Sequence, residues 1–162
     1  MMALEDDFKG ALSSWSSGVS VVTTKARGLL YGLTVSSFSS VSLNPPLVLV
    51  CLSNRNRLPL MIQDSGNFGV SVLSSDQQEA SGYFATPGRE PTEDFVEVDG
   101  HWTDSGVPVV ENSAAYVACK LHQAIELGDH TVIVGEVIEA QSQDDAKPLI
   151  YFKRGYRDLV LD

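Results

Sequence analysis

The chain has 162 residues, of which 43% are hydrophobic and 20% charged, enough for one domain with a sizeable core. Its 21 acidic residues outweigh 11 Lys and Arg, giving a net charge of −10, and no dense basic cluster is present. That balance argues against a nucleic-acid partner, and no apolar run approaches the ~18 residues of a membrane-spanning helix. The first residues, Met-Met-Ala-Leu-Glu-Asp-Asp, are acidic and lack the apolar core of a signal peptide, so a soluble cytoplasmic protein is expected. Cys51 and Cys119 lie in apolar, strand-like runs and read as two small buried hydrophobes in a reducing compartment. There is no CxxC, and His101, His122 and His130 are too widely spaced to indicate zinc.

Leu4 to Trp15 reads as an amphipathic helix, with Leu4, Phe8, Ala11, Leu12 and Trp15 at three- and four-residue spacing. Ser16-Ser17-Gly18 ends it. Val19 to Thr24 is β-prone throughout, and a turn over Ala26–Leu29 returns it as a second strand from Leu30 to Ser37 or beyond. Pro45 and Pro46 mark a bend. Leu47–Leu52 is a wholly apolar run and predicts a strand buried on both faces. A helix follows over Leu58–Asp64, with Ser53 or Asn54 as its N-cap, Pro59 in the first turn and Gly66 as its stop.

Phe68–Leu73 predicts a further strand and Ser74–Phe84 a third helix. Ala85–Glu93 is a loop of Thr, Pro, Gly and charge. Phe95, Val96 and Val98 form a short extended piece, and Val109-Val110 another. Ala114–Leu127 is a long strand in which Tyr116, Ala118, Lys120, His122, Ala124 and Glu126 share a phase. Gly128-Asp129 turns it into a returning strand, His130–Ala140, and Leu149–Phe152 is the last. Six or seven strands, three short helices and Gly/Pro turns predict a mainly β protein, an antiparallel closed or split barrel. No GxGxxG follows a strand, which disfavours a Rossmann domain.

Three features carry chemistry. In an unbroken strand Thr34, Ser36 and Ser40 share one face, and Ser37 and Ser39 the other. These hydroxyls run towards Ser53-x-Arg55-x-Arg57 at a helix start, where free N–H groups and planar guanidinium donors suit a phosphate-bearing aromatic ligand. A solvated strand face and two exposed loop arginines fit the same residues. Gly128-Asp129-His130 is second; a hairpin turn explains the first two but does not require His130. Third is Tyr151-Phe152-Lys153-Arg154-Gly155-Tyr156, aromatic and basic residues that would pack over a flat ligand or close the core. No GxSxG is present, and nothing ties a serine to His130 and a carboxylate.

In this order and spacing the segments resemble the flavin reductase-like, FMN-binding split-barrel family, the short-chain reductase components of two-component monooxygenases. The resemblance runs from about Phe8 to Leu159. It is carried by Gly18–Thr24, Gly32-x-Thr34-x-Ser36-Ser37-Phe38-x-Ser40-Val41-Ser42, Pro45–Val48, the Ser53/Arg55 corner, Gly66-x-Phe68-x-Val70, Gly128-Asp129-His130 and Tyr151–Tyr156. It implies a homodimer with flavin near the subunit interface. It places Thr34, Ser36, Ser37 and Ser40 along the flavin, Ser53, Arg55 and Arg57 near its phosphate, and Gly128 and Asp129 beside the ring. His130 would help hold nicotinamide, and Phe84 and Tyr156 are carried into the site as well.

The implied reaction is hydride transfer from C4 of NADH or NADPH to N5 of FMN or FAD, needing no nucleophile or general base. Reduced flavin would then reach a partner monooxygenase. A flavin-holding electron carrier or sensor without turnover is the alternative on the same fold. A flavin-free binding barrel and an oxidase of pyridoxamine phosphate type are the other readings; the Gly128-Asp129-His130 turn and the short length favour the reductase.

Overall fold

The computed structural model describes residues 2–160. Helix α1 (Met2–Ser13) leads into a two-residue strand β1 (Ser17–Gly18), a hairpin of β2 (Ser20–Ala26) and β3 (Leu29–Val35), and then β4 (Ser39–Leu43) and β5 (Pro46–Ser53). Helix α2 (Leu58–Ser65), β6 (Asn67–Val72) and α3 (Gln78–Ala85) follow. The short pair β7 (Gly100–Trp102) and β8 (Pro108–Val110) precedes the long hairpin of β9 (Ala115–Leu127) and β10 (His130–Ser142). A small hairpin, β11 (Ile150–Phe152) and β12 (Gly155–Arg157), ends the chain's strands.

Seven strands form one antiparallel sheet in the order β3-β2-β6-β9-β10-β5-β4. The outermost strands β3 and β4 are joined by Ser36–Phe38 alone, so the sheet curls until its two margins come within the reach of four Cα steps, at most ~14 Å. No ladder bonds the margins to each other. The result is a barrel split along one seam, and β11 joins β1 and β12 in a separate three-stranded sheet. Inside it Val22, Val50, Leu52, Leu58, Phe68 and Val70 are buried together. A second cluster lies between sheet and α3, with Val19, Val21, Leu73, Phe84 and Val110. Each such side chain contributes roughly 1.5–3 kcal/mol of transfer free energy.

Several elements differ from what the sequence predicts. The second strand does not run on through Ser37: it ends at Val35, and Ser36–Phe38 cross the seam, so Ser36 and Ser40 belong to no continuous pleat. The run Leu47–Leu52 is not buried on both faces. Val48, Val50 and Leu52 are core, whereas Leu47, Leu49 and Cys51 are half-buried, because only one face of β5 meets the interior. Cys119 is fully buried, and burial pushes its thiol up to about 12, so it stays protonated.

The long strands carry register shifts between Val134 and Gly135 and between Val137 and Glu139. Gln123 faces Val134 while Leu121 faces Gly135, which loops His122 out and breaks the single phase expected from Tyr116 to Glu126. Gly135 is required there, since a Cβ would stand 2.5 Å from the Phe68 ring. The predicted α2 cap also moves: Arg57, not Ser53 or Asn54, is the N-cap, and its side chain makes no capping bond. Gly66 ends α2 as expected, at φ 75° with its N–H on the Ile62 carbonyl.

Candidate functional site

The seam collects most of the candidate residues into two groups joined by Ser36 and Ser37. The first group is centred on Ser81 of α3. The Thr34 hydroxyl donates to the Ser81 carbonyl at 2.7 Å, and the Tyr156 hydroxyl donates to Ser81 Oγ at 2.8 Å. These bonds hold β3, α3 and the β11–β12 hairpin around a groove of about 200 Å³ walled by Thr34, Ser36, Ala85, Tyr151 and Tyr156. Ser36 presents its hydroxyl there with no protein partner among the described residues.

Ser37 bolts the seam. Its hydroxyl donates to the Cys51 carbonyl and accepts from the Cys51 N–H, both at 3.0 Å. Cys51 lies two residues along β5 from Ser53, and Ser53 faces His130 across the β5–β10 ladder. The second group therefore follows directly. The Asn54 N–H donates to the Asp129 carbonyl at 2.9 Å, and the Thr131 hydroxyl to Asn54 Oδ1 at 2.6 Å, which fixes the corner. Ser53 Oγ accepts the Arg55 N–H at 3.4 Å. Gly128, at φ 62°, allows the tight turn that sets Asp129 beside β5.

His130 Nδ1 lies 2.7 Å from Asp129 Oδ1, and the imidazole stays 46% exposed. The hydrogen bond and charge of His130, aided by the nearby charge of Arg55, hold the Asp129 carboxyl below its ordinary value. Asp129 thereby fixes the ring and leaves Nε2 directed away from this contact. Arg55 itself enters no ion pair among the described residues, and neither does the Ser40 hydroxyl find a partner on the exposed β4.

Two predicted residues stand apart. Arg57 is paired with Glu90 at 2.8 Å and lies over the Tyr31 ring at 5.8 Å, so its charge is answered by protein. Phe84 is 2% exposed and packs in the core behind the groove with Val21 and Leu73, because it sits on the inner face of α3. Ser81, Asn54 and Thr131 join the site without a role in it assigned from the sequence, while Tyr151 falls where the sequence offers either a ligand wall or core packing. Ser81 has a weak signal, a small hydroxyl residue amid the apolar positions of a helix. Asn54 and Thr131 have none, since their contact spans 77 residues.

Comparison with known proteins agrees with this architecture. The Flavin reductase like domain family matches residues 12–160. The chain belongs to the flavin reductase-like family. A Rhodococcus protein described as an NADH-dependent flavin reductase is 38% identical over 154 residues, covering 93% of this chain and 84% of its own. The reductase component of the Thermus thermophilus 4-hydroxyphenylacetate 3-monooxygenase is 37% identical over 157 residues, 97% of this chain and 98% of the relative. Among solved structures, the NADH:FAD oxidoreductase SgcE6 of Streptomyces globisporus superposes with a TM-score of 0.91 at 31% identity, covering 98% of this chain and 94% of that one. The family's split β-barrel, mainly β with three short helices, is the fold seen here.

Proposed function

We propose that this chain is an NADH-dependent flavin reductase that binds FMN or FAD along the seam and supplies reduced flavin to a partner monooxygenase. The observation that carries this is the set of donors without a protein partner at or near the seam: Ser36, Ser40, Arg55 and the far nitrogen of His130. Hydroxyls suit a ribityl chain, a guanidinium suits a phosphate, and the Tyr151 and Tyr156 rings offer a flat wall. The residues present therefore fit a flavin. When bound, the flavin supplies the hydride-accepting chemistry.

The chain's own work is to bind and orient. Thr34 and Tyr156 fix the groove's width through Ser81. Ser37 and Ser53 hold the seam's hydroxyl edge, and Arg55 meets the phosphate. His130, held by Asp129, positions the nicotinamide carboxamide and moves no proton, so its role lies in KM rather than in the chemical step. Arg57 secures α2 to the loop containing Glu90 and leaves the phosphate to Arg55. In this reading the protein works as a homodimer in the cytoplasm. Its exposed edge strand β4, with Leu43 at 93% exposure, and its free thiols Cys51 and Cys119 support that setting.

Absorbance of the purified protein titrated with FMN and then with NADH under anaerobic conditions tests the reading. Saturable binding with rapid bleaching is expected. Binding that neither NADH nor NADPH bleaches would make the protein a flavin carrier or sensor, and no binding of either flavin would end the flavin assignment.

A further inference from the structure

The margin of β3 is closed along one part of its length and open along the next. Leu30 exchanges two hydrogen bonds with Thr92 of the loop after α3, its N–H donating at 2.6 Å and its carbonyl accepting at 3.0 Å. Its polar groups therefore point away from β2, and by the alternation of an antiparallel ladder so do those of Gly32 and Thr34. Gly32 comes next along the margin, and its carbonyl accepts from Arg89 Nη2. At Thr34 no backbone bond from the loop continues the row among the described residues, and the groove begins. Arg89 is the last stitch before the seam opens.

The same guanidinium grips α3. It lies 4.6 Å from the centroid of the Tyr83 ring and 5.0 Å from that of Phe84, with Tyr31 of β3 at 5.2 Å. Gly32 lets strand and helix meet this closely, since a Cβ there would stand 3.0 Å from the Phe84 ring. Ser81 lies two residues before Tyr83 on α3, and Thr34 two residues after Gly32 on β3; these are the partners that fix the groove. The clamp and the Thr34–Ser81 bond therefore join the same two elements side by side. No carboxylate pairs with Arg89 among the described residues, and its Nε is buried without a protein acceptor. That orphaned donor lowers stability, and an apolar side chain over the same rings would not carry it. What an apolar side chain lacks is the bond to Gly32.

We propose that Arg89 is a positioning residue for the flavin groove. It holds β3 against α3 at the spacing that the Thr34–Ser81 bond requires, and touches neither flavin nor nicotinamide. The inference rests on the flavin reading of the groove and deepens it, by assigning control of the groove's width to a residue outside its walls. His130 belongs to the other group, beyond Ser37, so the effect falls on flavin and spares NADH.

Steady-state kinetics of the full chain, with FMN and NADH each varied, is the test. R89K keeps a cation near the rings but loses the planar fork, so KM for FMN should rise about fivefold while kcat and KM for NADH stay within about twofold. R89A should raise KM for FMN further, and guanidinium ion at millimolar concentration should restore part of the loss by filling the vacated place. Should R89A fail to fold, R89K carries the comparison. A merely stabilising residue would leave a smaller folded fraction, hence a lower apparent kcat with both KM values unchanged. That result, or an equal rise in both KM values, would overturn the proposal. So would additive effects of R89K and T34V on KM for FMN, because a residue acting through the Thr34–Ser81 bond has little left to disturb once that bond is gone. The Thr34 hydroxyl proton gives a readout without flavin: by NMR it should exchange with water faster in R89K than in wild type, and an unchanged rate would also overturn the proposal. If wild type neither binds nor reduces FMN, the flavin reading falls and that proton decides the role of Arg89. If wild type reduces FMN and R89K keeps its KM, this inference falls alone.

Discussion

The two sides of the barrel treat their arginines differently. On the α2 side, Arg27 forms a two-pronged pair with Asp64, Arg57 pairs with Glu90, and Arg89 is stacked among Tyr31, Tyr83 and Phe84 at 4.6–5.2 Å while donating to the Gly32 carbonyl. On the seam side, neither Arg55 nor Arg154 enters an ion pair among the described residues, though the charge of Arg55 helps to depress the Asp129 carboxyl. In a protein with carboxylates in excess, a guanidinium without a bonded carboxylate is not short of partners. In the function proposed above, the contrast separates cations that hold loops from cations kept free for an anion.

The largest effect expected is structural. Arg89→Ala removes three ring contacts and a half-buried hydrogen bond, and should lower unfolding free energy by ~3 kcal/mol in urea. If stability holds and flavin affinity falls instead, Arg89 belongs with the seam group. Arg55→Ala should do the reverse. Loss of one charge-assisted contact, ~2 kcal/mol, weakens FMN about 30-fold in a fluorescence titration with an unchanged melting temperature. An equal loss in Arg57→Ala would erase the distinction between the two arginines.

His130→Ala should raise KM for NADH about fivefold, the scale of one ordinary hydrogen bond, with kcat changed less. A collapse of kcat with KM constant would make the imidazole part of the chemical step. The smallest effect is a titration. Asp129 has its carboxyl depressed chiefly by the His130 hydrogen bond, so its contribution to stability is present above the ordinary carboxylate value and is lost as pH falls through the depressed one. In His130→Ala the Asp129 carboxyl, followed by NMR, should titrate at higher pH than in wild type. No movement would mean that Arg55 holds it.

Much of this was legible in local pattern. The β9–β10 hairpin follows from two β-prone runs around Gly128-Asp129, and α2 from Pro59 and Gly66, because each is decided within a few residues. The seam was not legible: Ser36–Phe38 have the composition of a strand or a crossing equally, and only the pairing of β4 with β5 decides. Arg57 read as a phosphate donor because Glu90, its partner, lies 33 residues away. Arg89 carries no signal in a loop rich in Thr, Pro and Gly, since the rings that half-bury it come from two other segments. Phe84 read as a site residue because resemblance places a residue near a ligand but does not say which way its ring faces.

The crossing at Ser36–Phe38 has a consequence for how the barrel breathes. The two margins of a sheet usually fray independently, as they lie farthest apart in it. Here β3 and β4 are those margins, yet three residues tether them, and Ser37 ties that tether to the backbone of β5. Neither margin can lift far without pulling the other. Amide hydrogens from Leu33 to Val41 should therefore exchange through a single shared opening, and a molecule seated at the crossing would slow exchange along both margins at once.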